Sequence, residues 1–440
     1  MAEAISGGNG AELTRLPNQF TLSGATIVAG DTLEVIEAGY LVIDSGRVAD
    51  VGAGPAPNGS EVFSLSGYAV LPAFINAHTH LADSALKEVG HGRGEWELLM
   101  PPDGLKHRAL RALDRDSLVD AMRRSIRLML RTGTVAFSDF REQGVAGITM
   151  LDEAAHGLPI TSVTMGRFAE LPPHSEEELR ANVASLPEGY VEELEAILAA
   201  APGFSFVTAN DTTDAGLRQA AGRVRAKGRR LAVHVAENEQ YRELSVLRTG
   251  QSDVARAVTN LQPDFVVHMT TANDDELDLV AEAGIPVIVC GRIQASLANG
   301  VPPLDEFRKR GIPFALGTDN VMLASPNILE ELKYMARVPR ALSRDPSLPT
   351  PRELLEAVTT TPAKALNLDQ GLGALTLGKA ASFIVFDLQT DNLYPARDPL
   401  ASIVNRADTS DIAAVVHHGS VVFGELKARS NVPELPAVPV

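Results

Sequence analysis

Ala69-Val70-Leu71-Pro72-Ala73-Phe74-Ile75-Asn76-Ala77-His78-Thr79-His80 is an apolar run that ends in two histidines one residue apart. Alternate residues of a strand point to the same face, so His78 and His80 can grip one metal ion. Three later residues extend the pattern. His234 closes Arg230-Leu231-Ala232-Val233, His268 closes Asp264-Phe265-Val266-Val267, and Asp319 closes Pro313-Phe314-Ala315-Leu316-Gly317-Thr318. Each sits at the carboxyl end of a run that reads as a buried strand. An α/β barrel keeps its chemistry at that end of its strands.

The spacings agree with this placement. From His80 to His234 is 154 residues, or four repeats of about 38, a plausible βα length. His268 follows after 34 residues and Asp319 after a further 51, two repeats of about 25. The polar ends then fall on strands one, five, six and eight. Apolar runs at 134–138, 160–165, 204–208 and 285–290 supply the strands between them. Helical segments alternate with these runs: Asp116–Arg131 closed by Gly133, Thr213–Lys227 by Gly228, Asn273–Ala283 by Gly284, and Pro303–Arg310 by Gly311. Such alternation favours a parallel sheet. Periodicity does not separate a closed barrel from an open doubly wound sheet; the ligand pattern does.

His-x-His on strand one, His on strands five and six and Asp on strand eight together resemble the amidohydrolase superfamily, over nearly the whole chain. His234-Val235-Ala236-Glu237 resembles the His-x-x-Glu of its branch of cytosine, guanine and S-adenosylhomocysteine deaminases and chlorohydrolases. The resemblance implies a (β/α)8 TIM-type barrel with one divalent metal on His78, His80, His234 and Asp319. Zinc is expected first and iron second. It also implies catalytic roles: Glu237 as proton shuttle, Asp319 as acceptor of the water proton, and His268 as hydrogen-bond partner of the attacked centre. The competing role for Glu237 is compensation of a helix dipole with Glu239. Binuclear relatives carry a lysine on strand four, and Phe204-Ser205-Phe206-Val207-Thr208-Ala209-Asn210 has none, so one metal is expected.

Cys290-Gly291-Arg292-Ile293-Gln294, followed by Leu297, Gly300 and Pro303, keeps the frame of the related Cys-Pro-x-Ser-Asn stretch without its polar residues. The segment after His80 lacks the Leu-Leu-Arg-Gly run of adenosine-type relatives, so no particular purine is carried over. Gly373-Ala374-Leu375-Thr376-Leu377-Gly378-Lys379-Ala380 imitates a phosphate loop, but Ala380 replaces the hydroxyl residue and a strand follows. The activity implied is release of ammonia from an amino-substituted nitrogen heterocycle. The alternatives are hydrolysis of a cyclic or linear amide and, in another class, a metal-free structural relative. Arg141, Arg167 and Arg292 follow strands two, three and seven, while Lys87, Lys106 and His107 lie in a long, lid-like insertion after strand one. With Asn320 beside Asp319, these residues are expected to bind a substrate bearing an anionic group. Ion pairing with Asp139, Glu142 and Glu170 is the competing explanation for the arginines.

A barrel takes about 250 residues, so a chain of 440 leaves room for a smaller partner domain. Short β runs at Gln19–Leu22, Ala25–Val28, Gly39–Ile43 and Arg47–Val51, and later at 382–387, 412–416 and 421–423, fit one β-sandwich built from both chain ends, as in the relatives. The expected division is a flexible leader at 1–18, sandwich at 19–68, barrel at 69–368 and sandwich again at 369–440. A net charge of -17 argues against a nucleic-acid or membrane-surface binder. The single cysteine, Cys290, allows no intrachain disulfide and suits a reducing cytoplasm. Relatives often assemble, so a homo-oligomer is expected.

Overall fold

The computed structural model describes residues 16–100 and 102–430, together with Val432 and the short strand pieces Ala4–Ile5 and Leu13–Thr14. Most of the expected leader lies outside these residues. Eight parallel strands form the barrel. Seven are Phe74–His80, Thr134–Arg141, Thr161–Gly166, Gly203–Thr208, Arg230–Val235, Phe265–His268 and Val287–Val289. The eighth is broken into Phe314–Leu316 and Asp319–Asn320. Its first part pairs with the seventh strand and its second with the first, through Asp319 opposite Thr79 and Asn320 opposite His80, so the ring closes.

Local sequence explains the helices between the strands. Thr213 caps Asp214–Ala226, Asn273 and Glu276 form a capping box on Asp274–Glu282, and Gly311 ends Leu304–Arg310 in the left-handed region. Their apolar faces pack on a core that includes Leu217, Val224, Leu277, Val280 and Phe307.

Strands from both chain ends make a second, eight-stranded sheet. Gln19–Ala29 pairs with Glu61–Ser64 through its first half and with Tyr68–Pro72 through its second, and Phe383–Asp387 joins from the far end of the chain. Phe20, Ile27, Val70, Phe383 and Val416 share its core. The expected β-sandwich appendage is therefore present.

One element differs from the sequence reading. The run from Ala69 to His80 is two strands, not one: Tyr68–Pro72 belongs to the sandwich sheet and Phe74–His80 to the barrel. Both halves are buried throughout, which makes them continuous in hydropathy. The switch occurs at Ala73, whose N–H donates to the carbonyl of Ser382. Among the described residues, no helix is long and apolar enough to cross a membrane.

The closing of strand eight on strand one depends on a glycine and an asparagine. Asn76 donates from Nδ2 to Thr318 Oγ1 at 2.7 Å and accepts from the Thr318 N–H at 3.0 Å. At Gly317 a Cβ would stand 2.7 Å from the His78 Cβ and 2.8 Å from the His78 nitrogen, so no side chain fits. Gly317→Ala should therefore destabilise the protein by about 1–3 kcal/mol through overpacking. Thermal unfolding checks this, and an unchanged melting temperature would show that the two strands can separate without cost.

Candidate active site

The barrel mouth gathers the five polar residues from four strand ends. His78 Nε2 lies 3.3 Å from Asp319 Oδ1, and His80 Nε2 lies 3.6 Å from the same oxygen. The ligand atoms of His78, His234 and His268 fall within 4.8 Å of one another. Backbone strain accompanies this convergence. Ala236, His268 and Asp319 have φ of 45°, 81° and 58°, left-handed values that cost a non-glycine residue on the order of 1 kcal/mol. The packed barrel holds them there.

The donor set fits a divalent metal. Both ring nitrogens of His78, a fully buried residue, lack a hydrogen-bond partner among the described residues. Leaving such groups unsatisfied costs about 1–3 kcal/mol each. His80 Nδ1 donates to the carbonyl of Phe140 at 3.1 Å and His234 Nδ1 to that of Val207 at 2.8 Å. Each bond fixes the tautomer and leaves Nε2 bare for a metal. Burial, aided by Arg167 and Lys106, pushes His78 down to about 3, and burial also drives His80 and His234 well below their usual value. All three are neutral, as ligands must be.

The acidic groups diverge. Burial, with Glu95 and Asp319 close by, lifts Glu237 well above the ordinary carboxylate range. Burial alone would raise Glu142 too, but Lys106, His80 and Arg141 outweigh it and hold that carboxyl well below. Two carboxyls near the mouth are thus pushed in opposite directions, a separation that acid-base chemistry uses.

A cavity is lined by His80, His234, His268, Asp319, Glu237 and Asn320. It is covered by Glu95, Lys106 and His107 from the insertion after strand one. A neighbouring cavity shares His107 and Arg167 with it. Of the expected substrate-binding residues, Arg167, His107 and Asn320 reach the cavity wall; Arg141, Arg292 and Lys87 do not. Arg141 is fully buried and paired with Glu142 at 2.6 Å and Asp139 at 3.5 Å. Arg292 is taken up by Glu330 and Glu331. Lys87 is exposed and faces Leu113 and Asp120 on the barrel's outer side. For Arg141 and Arg292 the competing ion-pair explanation describes the geometry.

Sequence reasoning missed Glu142, Asp83, Glu95 and Tyr241. Lys106 pairs with Asp83 at 2.8 Å and with Glu142 at 2.7 Å, and Glu142 Oε1 sits 3.1 Å from His80 Nδ1. The insertion is thereby tied to a candidate ligand. Glu142 follows strand two directly, a position that could have flagged it. Glu95 and Tyr241 enter from segments with no periodic signal toward the cavity. Glu142→Gln should keep the fold and weaken zinc binding about 10- to 100-fold, because it removes the charge behind His80. Competition with a chromophoric chelator measures this; unaltered affinity would make Glu142 a partner of the basic residues alone.

Comparison with known proteins agrees with this geometry. Residues 69–422 match the amidohydrolase family model. A protein of Methanothermobacter thermautotrophicus described as an aminohydrolase is 31% identical over 92% of this chain and 99% of its own length. A 5-methylthioadenosine/S-adenosylhomocysteine deaminase of Moorella thermoacetica is 28% identical over 92% of this chain and 93% of that protein. Among solved structures, a zinc-bound adenosine deaminase from Xanthomonas campestris superposes with a TM-score of 0.80 at 20% identity, covering 94% of each chain. With the family model spanning most of the sequence and the barrel carrying the donor set at its mouth, the chain belongs to the amidohydrolase family.

Proposed function

We propose that this protein is a mononuclear metal-dependent aminohydrolase that exchanges an amino group on a nitrogen heterocycle for oxygen, consuming water and releasing ammonia. The observation that carries the reading is geometric: His78 and His80 meet Asp319 at 3.3 and 3.6 Å, His234 lies with His78 and His268, and Glu237 lines the same cavity. His78, His80, His234 and Asp319 would hold one divalent ion, zinc by the chemistry of the donors. When bound, that ion lowers the pKa of water and supplies a nucleophile at neutral pH.

The chain's own groups do the rest. Asp319 accepts the proton of the attacking water. Glu237 donates its proton to the ring nitrogen next to the attacked carbon, takes the second proton of the former water as the carbonyl forms and passes it to the departing amine. The proton held by Asp319 then returns to Glu237, so that one water is consumed and one ammonia leaves. His268 stabilises the charge that develops at the attacked centre. The neighbouring cavity beyond Arg167 offers a place for a substituent. The Arg167 guanidinium faces Glu142 at 3.6 Å and makes no side-chain hydrogen bond among the described residues, which favours an anionic substituent. We place the enzyme in the cytoplasm, on its single cysteine, and expect a homo-oligomer by analogy with relatives.

An ammonia-release screen across purines, pyrimidines, pterins and triazines tests the activity, with cyclic and linear amides as the opposing panel. Turnover of amides alone would replace the deaminase reading with the amidase one. Loss of the metal without loss of turnover would end both. His234→Ala should lose zinc and activity together, whereas Glu237→Gln should keep zinc and lose ~10²–10⁴ in rate. Near-normal turnover of the Gln variant would return Glu237 to a helix-start role. Arg167→Ala should raise KM for an anionic substrate about ten- to a hundredfold and spare a neutral analogue. Equal losses on both would remove the anionic group from the account.

A further inference from the structure

We propose that Gln294 is a positioning residue that holds His268 in the tautomer with its proton on Nε2. That nitrogen is thereby a donor toward the reacting centre and is withheld from the metal. The inference rests on the metal-dependent reading of the cavity and adds a device that sets His268 apart from His80 and His234.

His268 is near enough to be a ligand, since its ring nitrogen lies within 4.8 Å of those of His78 and His234. Distance does not exclude it; the amide of Gln294 does. Gln294 is fully buried on the helix Gly291–Ser296 that follows strand seven. Its Nε2 lies 3.0 Å from His268 Nδ1 and 3.2 Å from Glu237 Oε1. Its Oε1 accepts from Asn299 Nδ2 at 3.1 Å. The same Asn299 Nδ2 donates to the carboxylate of Glu95.

Read from that carboxylate, the directions of the chain are determined. Glu95 Oε2 accepts there, so the NH₂ end of Asn299 faces it. That NH₂ also meets Gln294, which must present its oxygen there. The NH₂ of Gln294 is left with two hydrogens for Glu237 and His268. A donor facing Nδ1 requires that nitrogen to be bare, and a neutral imidazole then carries its proton on Nε2. His268 Nε2 is buried without a hydrogen-bond partner among the described residues, 3.3 Å from Glu237 and 3.9 Å from Asp319. Its N–H is free for substrate.

The contrast with the neighbouring histidines makes the point chemical. At His80 and His234 a backbone carbonyl faces Nδ1, which selects the opposite tautomer and bares Nε2. Identical side chains at equivalent strand ends are divided into ligands and donor by the group behind Nδ1. Gln294 also orients Glu237, leaving Glu237 Oε2 to carry the transferable proton.

The test reads the tautomer directly in full-length protein labelled with ¹⁵N-histidine. His268 is assigned by comparison with His268→Asn, and spectra are taken metal-free and with zinc added. The expected result in both states is a protonated Nε2 and a bare Nδ1. Gln294→Glu presents an acceptor instead, so the proton should move to Nδ1 and Nε2 should become available to the metal. The visible spectrum of the cobalt-loaded variant should then differ from that of the cobalt-loaded parent. Gln294→Met, which removes the donor without adding an acceptor, should give a mixture of tautomers and retain zinc affinity within about tenfold, since it touches no ligand. A proton on Nδ1 in the parent protein, or an unchanged Nε2 proton in both folded variants, overturns the proposal. Failure of the parent to take up zinc would strike the metal-dependent reading alone, because the metal-free spectrum still decides the tautomer.

Discussion

The closure of the eighth barrel strand onto the first is the constraint on which the site depends. Asp319 can face His78 and His80 only because Gly317 brings the two backbones closer than any Cβ would permit and Asn76 ties the break in the strand to Thr318. Beyond the break, Asp319 turns through a left-handed φ and points into the mouth. The strained turns at Ala236 and His268 act similarly on strands five and six. Each is a local cost carried by a barrel core that is close-packed and slow to relax.

Electrostatics then divide the buried groups by task. Burial penalises charge on the histidines and drives them toward the neutral form, and for the same reason it pushes Glu237 up toward its protonated form. Glu142 is as deeply buried but stays charged, since Lys106, Arg141 and His80 surround it. Buried pairs of this kind are costly to break, about 3–5 kcal/mol when one partner is removed. The cost fastens the insertion after strand one over the cavity, through Lys106, and so links cover and ligand.

The candidate ligands were legible in the sequence because each ends an apolar run, and a buried strand leaves few reasons for a polar residue at its carboxyl end. The barrel followed from their spacing, and the family from His78-Thr79-His80 and His234-Val235-Ala236-Glu237. Two things were not legible. Hydropathy could not divide the run from Ala69 to His80, because sandwich and barrel bury it equally. Strand-end position could not say which arginine is free. Arg141, Arg167 and Arg292 look alike along the chain, yet carboxylates distant in sequence from Arg292, and adjacent to Arg141, absorb two of them. Glu95 and Gln294 matter through contacts spanning many residues, which no local pattern announces.

The central claim is that one metal ion sits among His78, His80, His234 and Asp319, with His268 beside it but unbound. Anomalous diffraction at the zinc edge from crystals of the zinc-loaded protein tests this most directly. The account predicts a single peak within bonding distance of those four side chains, and His268 Nε2 outside the coordination sphere. Two peaks, no peak, or a peak bonded to His268 in place of one of the four would contradict it.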